Sequence, residues 1–115
     1  MSGAPRRVSW IKAAQKAFDA FPAQARERTL QALDLAAQGE KAGIAKPMRG
    51  LGSGVYEIAL RYRTDAFRIV YAVELADDLW VVHAFQKKSR KGIATSQPDI
   101  DLIKDRIKRL RAQLT

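Results

Sequence analysis

The sequence predicts an α+β fold, in which a helical hairpin packs on a small antiparallel sheet and an amphipathic helix follows. Three stretches with different hydrophobic periods predict it. Apolar residues recur at helical spacing over residues 10–37, give way to β-rich and partly alternating runs over residues 55–86, and return to helical spacing after residue 96. At 115 residues the chain has the length of one domain with one modest core, so we expect a single domain over residues 1–115.

The first third of the chain predicts a brief strand and two helices. Residues 8–11 are β-prone, and helical spacing runs from Trp10 to Phe21. Pro22 should end this helix, because the residue before a proline avoids the α region. A second helix begins at or just after Pro22 and is capped near Gly39. So short a link predicts an antiparallel helical hairpin.

The rest of the chain predicts three strands and a last helix. Residues 41–54 form a loop rich in glycine and cations, and strands follow at residues 55–63, 67–75 and 79–86. The short polar joints between them predict an antiparallel meander. Ser96 and Asp99 have capping-box spacing at the start of the last helix. Its apolar stripe is Ile100, Ile103, Ile107, Leu110 and Leu114.

Composition indicates the partner class and excludes several chemistries. The net charge of +9 and the pI near 10.3 favour nucleic acid, ahead of an anionic membrane or an acidic protein. The chain has no cysteine and one histidine, His83, which predicts no disulfide, no thiolate metal site and no multi-histidine metal site. We also expect no cofactor. No membrane-length apolar window and no signal peptide are recognised, so we expect a cytoplasmic protein.

Strand alternation predicts a charged sheet face opposite the helical hairpin. Glu57, Arg61 and Arg68 fall on that face, and Gln86 joins them with Lys88 by continuation, although the register near Lys87 is open by one residue. The predicted core residues on the hairpin side are Tyr56, Ile58, Leu60, Ile69, Tyr71, Val81 and Phe85. The same alternation turns His83 toward the hairpin, as a buried structural residue rather than a general base.

Two interpretations of the charged face remain open at this point. Solvated charges are the ordinary reading, and it suits the outlying cations such as Arg63 and Lys91. The crowded set of Arg61, Arg68 and Lys88 favours an anion, because like charges repel unless an anion lies between them. A phosphate backbone would satisfy that requirement. The run "GLGSG" lacks the features of a phosphate-binding loop and is interpreted as a flexible joint.

Three motifs, "GVYEI", "FRIVY" and "HAFQKK", followed by a helix that opens with "PDIDLI", resemble the RelE/ParE superfamily. The chain is most similar to the HigB-like, phage-derived branch of type II toxin–antitoxin toxins, over nearly its whole length. The resemblance implies a RelE-like fold with a curved sheet. It implies a toxin that inhibits translation by cleaving messenger RNA in the ribosomal A site, without a metal. Its partners would be the ribosome, the mRNA and a co-encoded antitoxin, often with a helix-turn-helix domain.

The resemblance also implies roles for individual residues. Arg68 matches the strand arginine that supports the scissile phosphate, and Lys88, or Lys87 if the register shifts, matches the cation after the last strand. Arg61 is a further backbone or transition-state contact. Relatives place lysines where this chain has Glu57, which makes Glu57 the candidate base, although neighbouring arginines favour its charged form. The acid stays unassigned. The candidates for RNA binding are Lys46, Arg49, Arg63, Lys87, Arg90 and Lys91.

Other functions keep the fold and change the target. A ParE-like toxin would poison DNA gyrase by protein contact, in which case the basic terminal helix matters more than the sheet cations. A non-catalytic RNA- or ribosome-binding module would use the basic face for affinity alone. The terminal helix itself is expected to dock on its own domain, since an isolated amphipathic helix needs packing to persist. Pairing with a second toxin or with an antitoxin is the alternative.

Overall fold

A computed structural model describes residues 5–87 and 94–114, which form three helices and five strands. The strands and helices lie in the order β1 (Val8–Trp10), α1 (Lys12–Asp19), α2 (Ala23–Ala37), β2 (Ala45–Pro47), β3 (Val55–Tyr62), β4 (Asp65–Leu75), β5 (Asp78–Lys87) and α3 (Gln97–Leu114). The three long strands begin and end within two residues of their predicted bounds. The predicted α+β class, with a helical hairpin on the sheet and a C-terminal helix, is confirmed.

One sheet contains all five strands, in the spatial order β1-β5-β4-β3-β2. The β3, β4 and β5 strands form the predicted antiparallel meander, and β1 pairs with β5 in parallel at one edge. At the other edge β2 pairs with β3, although residues 41–54 were predicted to be all loop. That strand escapes prediction because it has three residues and ends on Pro47, which lacks the N–H of a central strand and is tolerated at an edge.

The helical hairpin covers the sheet face that the alternation predicted. Phe18 and Phe21 are buried against Phe67 of β4, with the Phe21 and Phe67 rings in edge contact at 4.8 Å. The α2 helix ends where glycine was predicted to cap it. Gly39 has φ +88°, its N–H donates to Ala36, and the next N–H donates to Leu35, which together form a Schellman motif.

The α3 helix docks on the opposite face of the sheet, in agreement with the expectation that it packs on its own domain. Ile103, Ile107 and Leu110 are buried there against Val70 and Val82. Each buried aliphatic side chain contributes about 1.5–3 kcal/mol of transfer free energy. Because α3 covers part of this face, the charged surface occupies less of the sheet than the whole face that the alternation predicted. In the described part of the chain, no helix is both long and apolar enough to cross a bilayer.

A β-bulge in β5 overturns the alternation predicted for the last strand. Val70 pairs with His83, but Tyr71 pairs with Val81, so Val82 is an extra residue on β5. Beyond the bulge each side chain points to the sheet face opposite the one predicted. His83 and Phe85 face α3 rather than the hairpin, and Gln86 does not lie on the charged face. The prediction that placed Phe85 in the hairpin-side core and His83 toward the hairpin was therefore wrong, although His83 is buried as expected.

Candidate nucleic-acid interface

The pairing register places three cations from three adjacent strands around one spot. Arg61 of β3 lies opposite Ala66 of β4, and Ala66 lies opposite Lys87 of β5. Residues directly opposite each other share a sheet face. Adjacent strands are about 4.8 Å apart, so the backbones of Arg61 and Lys87 are roughly 10 Å apart, with Ala66 of β4 between them in the sheet.

We call this spot and the row beside it the depression, because two alanines lie at its centre. The row beside it is the next one across the sheet. It consists of Ala59, Arg68 and Phe85, in register on the same face. Ala59 and Ala66 form the low floor, while Arg61, Arg68 and Lys87 carry the charge around it. The sheet cations that the sequence singled out are thus brought together by strand pairing, with Lys87 rather than Gln86 on this face. The bulge causes that exchange.

Arg68 is oriented by an ion pair with Glu57. The Nη1 group of Arg68 donates to Glu57 Oε1 at 3.2 Å, and the Arg68 and Glu57 side chains are only 17% and 16% exposed. The other carboxylate oxygen of Glu57 accepts a hydrogen bond from the hydroxyl of Thr95, which lies just before α3. Lys46, on β2, lies directly opposite Glu57 and is exposed on the same face. Glu57 therefore lies between two cations and has both oxygens engaged.

His83 connects the sheet to the first turns of α3. Its Nδ1 lies 3.2 Å from Arg106 Nη1, and its Nε2 lies 2.9 Å from Asp99 Oδ1. A guanidinium only donates, so Nδ1 accepts and the ring hydrogen is on Nε2, where it is donated to Asp99. Arg106 also donates to the Val82 carbonyl. These bonds engage both nitrogens of the buried imidazole and hold α3 against the bulge.

Asp99 links this network to the edge of the depression. Its Oδ2 accepts from the Ser96 hydroxyl at 2.7 Å and lies 3.9 Å from Lys87 Nζ. Partial burial acts to raise the pKa of Asp99, but the hydrogen bonds from His83 and Ser96 and the nearby positive charge outweigh it and hold that pKa below its ordinary value. Lys87 also lies over the Phe85 ring, 5.8 Å from its centre. Two contacts therefore restrain Lys87 beside the depression.

Other predicted site residues lie elsewhere. Arg63 is in the β3–β4 turn, where its guanidinium sits 5.4 Å over the Tyr62 ring, on the hairpin side of the sheet. Tyr62 is half-buried there, on the side of the sheet opposite the basic face. Arg49 is exposed in the turn after β2. Lys88, Arg90 and Lys91 lie outside the described residues.

Sequence reasoning missed the contributions of Thr95, Asp99 and Arg106 to the site. The capping-box spacing did identify the start of α3, and the Asp99 N–H does donate to Ser96 Oγ at 3.3 Å. Nothing in that spacing indicates that the Asp99 carboxylate also reaches His83. Among residues 5–87 and 94–114, no group of three or more acidic or histidine side chains is arranged to hold a metal ion.

Comparison with solved structures finds the same fold in toxins of the RelE type. A mutant of Escherichia coli toxin RelE in its free state superposes with a TM-score of 0.58 at 16% identity, over 92% of this chain and 98% of that one. The isolated E. coli RelE toxin gives 0.57 at 20% identity, over 87% and 97%. The toxin–antitoxin complex RelBE2 of Mycobacterium tuberculosis gives 0.50 at 15% identity, over 73% and 100%.

These structures confirm that the fold is RelE-like, as the resemblance to the RelE/ParE superfamily predicted. Among curated proteins, no sequence matches this chain. A family match covers residues 16–108, from within the first helix to the second half of α3, and the family is described as phage-derived. The chain thus belongs to the family of phage-derived Gp49-like proteins (DUF891).

Proposed function

We propose that this chain is the toxin of a type II toxin–antitoxin system and acts as a ribosome-dependent, metal-free mRNA endoribonuclease in the cytoplasm. The observation that supports it best is the convergence of Arg61, Arg68 and Lys87, from three strands, on a depression floored by alanines. Three cations around a gap of this size suit one sugar–phosphate link. The RelE-like fold, shared with proteins described as toxins, supports the same function.

The reaction uses the ribose 2′-hydroxyl as nucleophile. A base removes the hydroxyl proton, the 2′ oxygen bonds to the adjacent phosphorus, and the bond to the 5′ oxygen breaks as that oxygen takes up a proton. The products are a 2′,3′-cyclic phosphate and a 5′-hydroxyl end. Arg68, Lys87 and Arg61 stabilise the extra negative charge of the phosphorane, which is the large catalytic contribution because these donors are already oriented.

Glu57 is the proposed base, and its surroundings define what it must do. It holds Arg68 with one oxygen and accepts from Thr95 with the other. Each of its oxygens has a further lone pair, and the proton taken from the 2′-hydroxyl would occupy one of them. The Thr95 hydroxyl can rotate away without leaving a buried charge unpaired, so we propose that the oxygen facing Thr95 accepts the proton. Lys87, at the edge of the depression, is our candidate for protonating the leaving oxygen.

A cognate antitoxin is part of the proposal. One of the structurally similar proteins was solved as a toxin–antitoxin complex, which supports a protein inhibitor for this chain as well. The proposed antitoxin carries a helix-turn-helix domain and is encoded beside the toxin. Co-expression from the neighbouring gene should therefore restore growth, and the two proteins should co-purify.

Inducible expression tests the function, with matched arginine variants as the internal comparison. Wild type should arrest growth and produce new transcript 5′ ends within translated codons, while Arg68→Ala should abolish both. Arg63→Ala is the control, because Arg63 lies in a turn away from the depression. Equal cleavage by wild type and folded Arg68→Ala protein would contradict the assignment of Arg68. DNA breaks with an SOS response, in place of codon-phased cuts, would favour the gyrase-directed alternative.

Glu57→Gln separates orientation from proton transfer. The amide oxygen can still accept from Arg68, so the guanidinium keeps its place while the base is removed. We expect about a hundredfold or greater loss of kcat, in the range typical of a general base, with little change in RNA affinity. Single-turnover cleavage measures the effect on the rate of the chemical step, and equilibrium binding measures the effect on RNA affinity. A variant that loses binding and keeps its bound-state rate would identify Glu57 as an orienting residue only.

A further inference from the structure

A second basic site lies between α3 and the glycine-rich turn that follows β2. It is a cleft of about 320 Å³ whose floor is formed by Leu51 and Ile107. The outer face of α3 supplies its charged wall, with Lys104, Lys108 and Arg111. The backbone of residues 50–52 forms the opposite wall. None of the residues in this cleft belongs to the depression described above.

The three cations of the cleft differ in their pairing from the other cations of α3. Arg109 pairs with Asp105 at 3.1 Å, and Arg106 is bound to His83 and Val82. No carboxylate of residues 5–87 or 94–114 lies within ion-pair distance of Lys104, Lys108 or Arg111, although Glu74 borders the neighbouring hollow beside Arg111. Their spacings of four and three residues place the three charges on one face, where like charges destabilise a helix by about 0.2–0.5 kcal/mol per pair.

The facing turn has two glycines, which have no side chain to fill the space beside these cations. Gly50 and Gly52 have φ values of +79° and +89°, which other residues adopt only with strain. A Cβ atom at residue 52 would lie 3.4 Å from a guanidinium nitrogen of Arg111. Glycine therefore leaves a narrow approach between backbone and guanidinium. An anion that enters it would meet positive side chains on one wall and no bulky group on the other.

The cations of the cleft are spaced along α3 at increasing distance from the depression. Along the axis of α3, Lys104, Lys108 and Arg111 lie about 7.5, 13.5 and 18 Å beyond Asp99, at 1.5 Å per residue. Asp99 marks the depression, since it contacts both His83 and Lys87. A strand of RNA that leaves the depression along α3 would therefore pass one cation after another.

We propose that this cleft binds backbone phosphates of RNA outside the scissile link. The inference rests on the proposed function for its ligand, and it assigns α3 a direct role in holding RNA. The phosphates can belong to the mRNA strand being cut or to ribosomal RNA beside it, and the two sources present the same chemistry. An acidic protein partner in place of RNA is an outcome that the test below would expose.

Charge-matched triple variants test the proposal. The test variant is Lys104→Gln, Lys108→Gln and Arg111→Gln, and the control is Lys12→Gln, Lys16→Gln and Arg109→Gln. Both remove the same net charge from exposed positions, but the control residues lie on α1 or are paired within α3. The probe is a fluorescent single-stranded oligonucleotide with 2′-O-methyl riboses, which has no nucleophile and is not cleaved. Binding is measured by anisotropy across a series of salt concentrations.

The expected result is a change in salt dependence confined to the test variant. Losing three phosphate contacts should reduce the slope of log affinity against log salt by about 2, since each contact to a single strand contributes about 0.7. Affinity in 0.1 M salt should fall by about tenfold or more, while the control keeps the wild-type slope within about 0.7. Melting temperatures should be unchanged or slightly higher, because the substitutions relieve repulsion on the helix.

Ribosome binding distinguishes the source of the phosphates. Loss of affinity for the oligonucleotide as well as for ribosomes assigns the cleft to the mRNA strand, and loss for ribosomes alone assigns it to ribosomal RNA. Equal slopes for wild type and the test variant with both probes would overturn the inference, as would no RNA binding by wild type. Because the probe cannot be cleaved, absence of nuclease activity would refute the proposed function without affecting this measurement.

Discussion

Asp99→Asn should destabilise the protein by about 2 kcal/mol at neutral pH. The carboxylate accepts hydrogen bonds from His83 at 2.9 Å and from Ser96 at 2.7 Å, and Asn retains only one acceptor oxygen. Its amide group would face one of these donors, so one hydrogen bond to a charged group is lost. Such bonds contribute about 1.5–3 kcal/mol. The attraction to Lys87 at 3.9 Å adds little, since both groups are partly solvated.

Urea denaturation measures this loss of stability, and the loss should depend on pH in a defined direction. The pKa of Asp99 is lowered in the folded protein, so the stability that its charge contributes is fully present above the ordinary value of 3.8 and disappears as the pH falls through the lower folded value. Wild type should unfold at a urea concentration about 1 M higher than Asp99→Asn at pH 7, for an m-value in the usual range. The difference should shrink progressively below pH 3.8.

Asp101→Asn is the matched control. Asp101 lies on the same turns of α3, carries the same charge near the helix N-terminus, and bonds only to the exposed Gln97 side chain at 2.8 Å. We expect it to cost less than about 0.5 kcal/mol. If both variants lost the same stability, the helix macrodipole would account for the effect and the His83–Asp99 bond would contribute nothing specific. Equal stability of Asp99→Asn and wild type at pH 7 would refute the reasoning outright.

Three further predictions concern the floor of the depression, the last hairpin and the docking of α3. Ala59→Ile should leave the fold intact, because an exposed strand position favours a β-branched side chain. It should reduce RNA cleavage by about tenfold or more, because the larger side chain fills the floor of the depression. Full activity in a cleavage assay would place the reacting phosphate elsewhere. Ala76→Gly should raise the free energy of unfolding by about 0.5 kcal/mol, because Ala76 has φ +57° in the turn between β4 and β5 and glycine adopts this conformation without strain. A lower urea midpoint for the variant would contradict this explanation. Ile103→Ala should cost about 2–5 kcal/mol as the buried side chain is deleted. The control is Leu102→Ala, at the neighbouring residue, which is 38% exposed and whose truncation should lower the free energy of unfolding by less than about 0.5 kcal/mol. Similar losses of stability at both positions would mean that α3 is not docked as described.

Much of the fold was predictable because its signals are local. The helical period before Pro22 and after it, the glycine that caps α2, and the capping box at Ser96 all act within a few residues of chain. The alternation of Ile58 and Leu60 with charged neighbours predicted correctly which face of β3 is buried. Local signals of this kind depend on backbone conformation and on the burial of apolar side chains, both of which are encoded residue by residue.

The candidate site was predictable only in part. Arg61, Arg68 and Glu57 were assigned to one face, and they share it. The last strand was assigned wrongly from His83 onward, because no local signal marks the extra residue Val82. A bulge arises from how two strands pair and from what packs on them, so its position is a property of the pair and not of either strand.

By itself, the sequence determined the α+β class, the bounds of the long strands, the basic character of the surface and the resemblance that identified the family. Only the tertiary structure decided which residues meet: that α3 lies on the charged face, that Lys87 replaces Gln86 beside Arg68, and that Asp99 bonds to His83. The physical reason is the separation along the chain of the residues that interact. Hydrophobic period and capping act between neighbours along the chain, whereas strand register and helix docking depend on side chains that come together only when the whole sheet has formed.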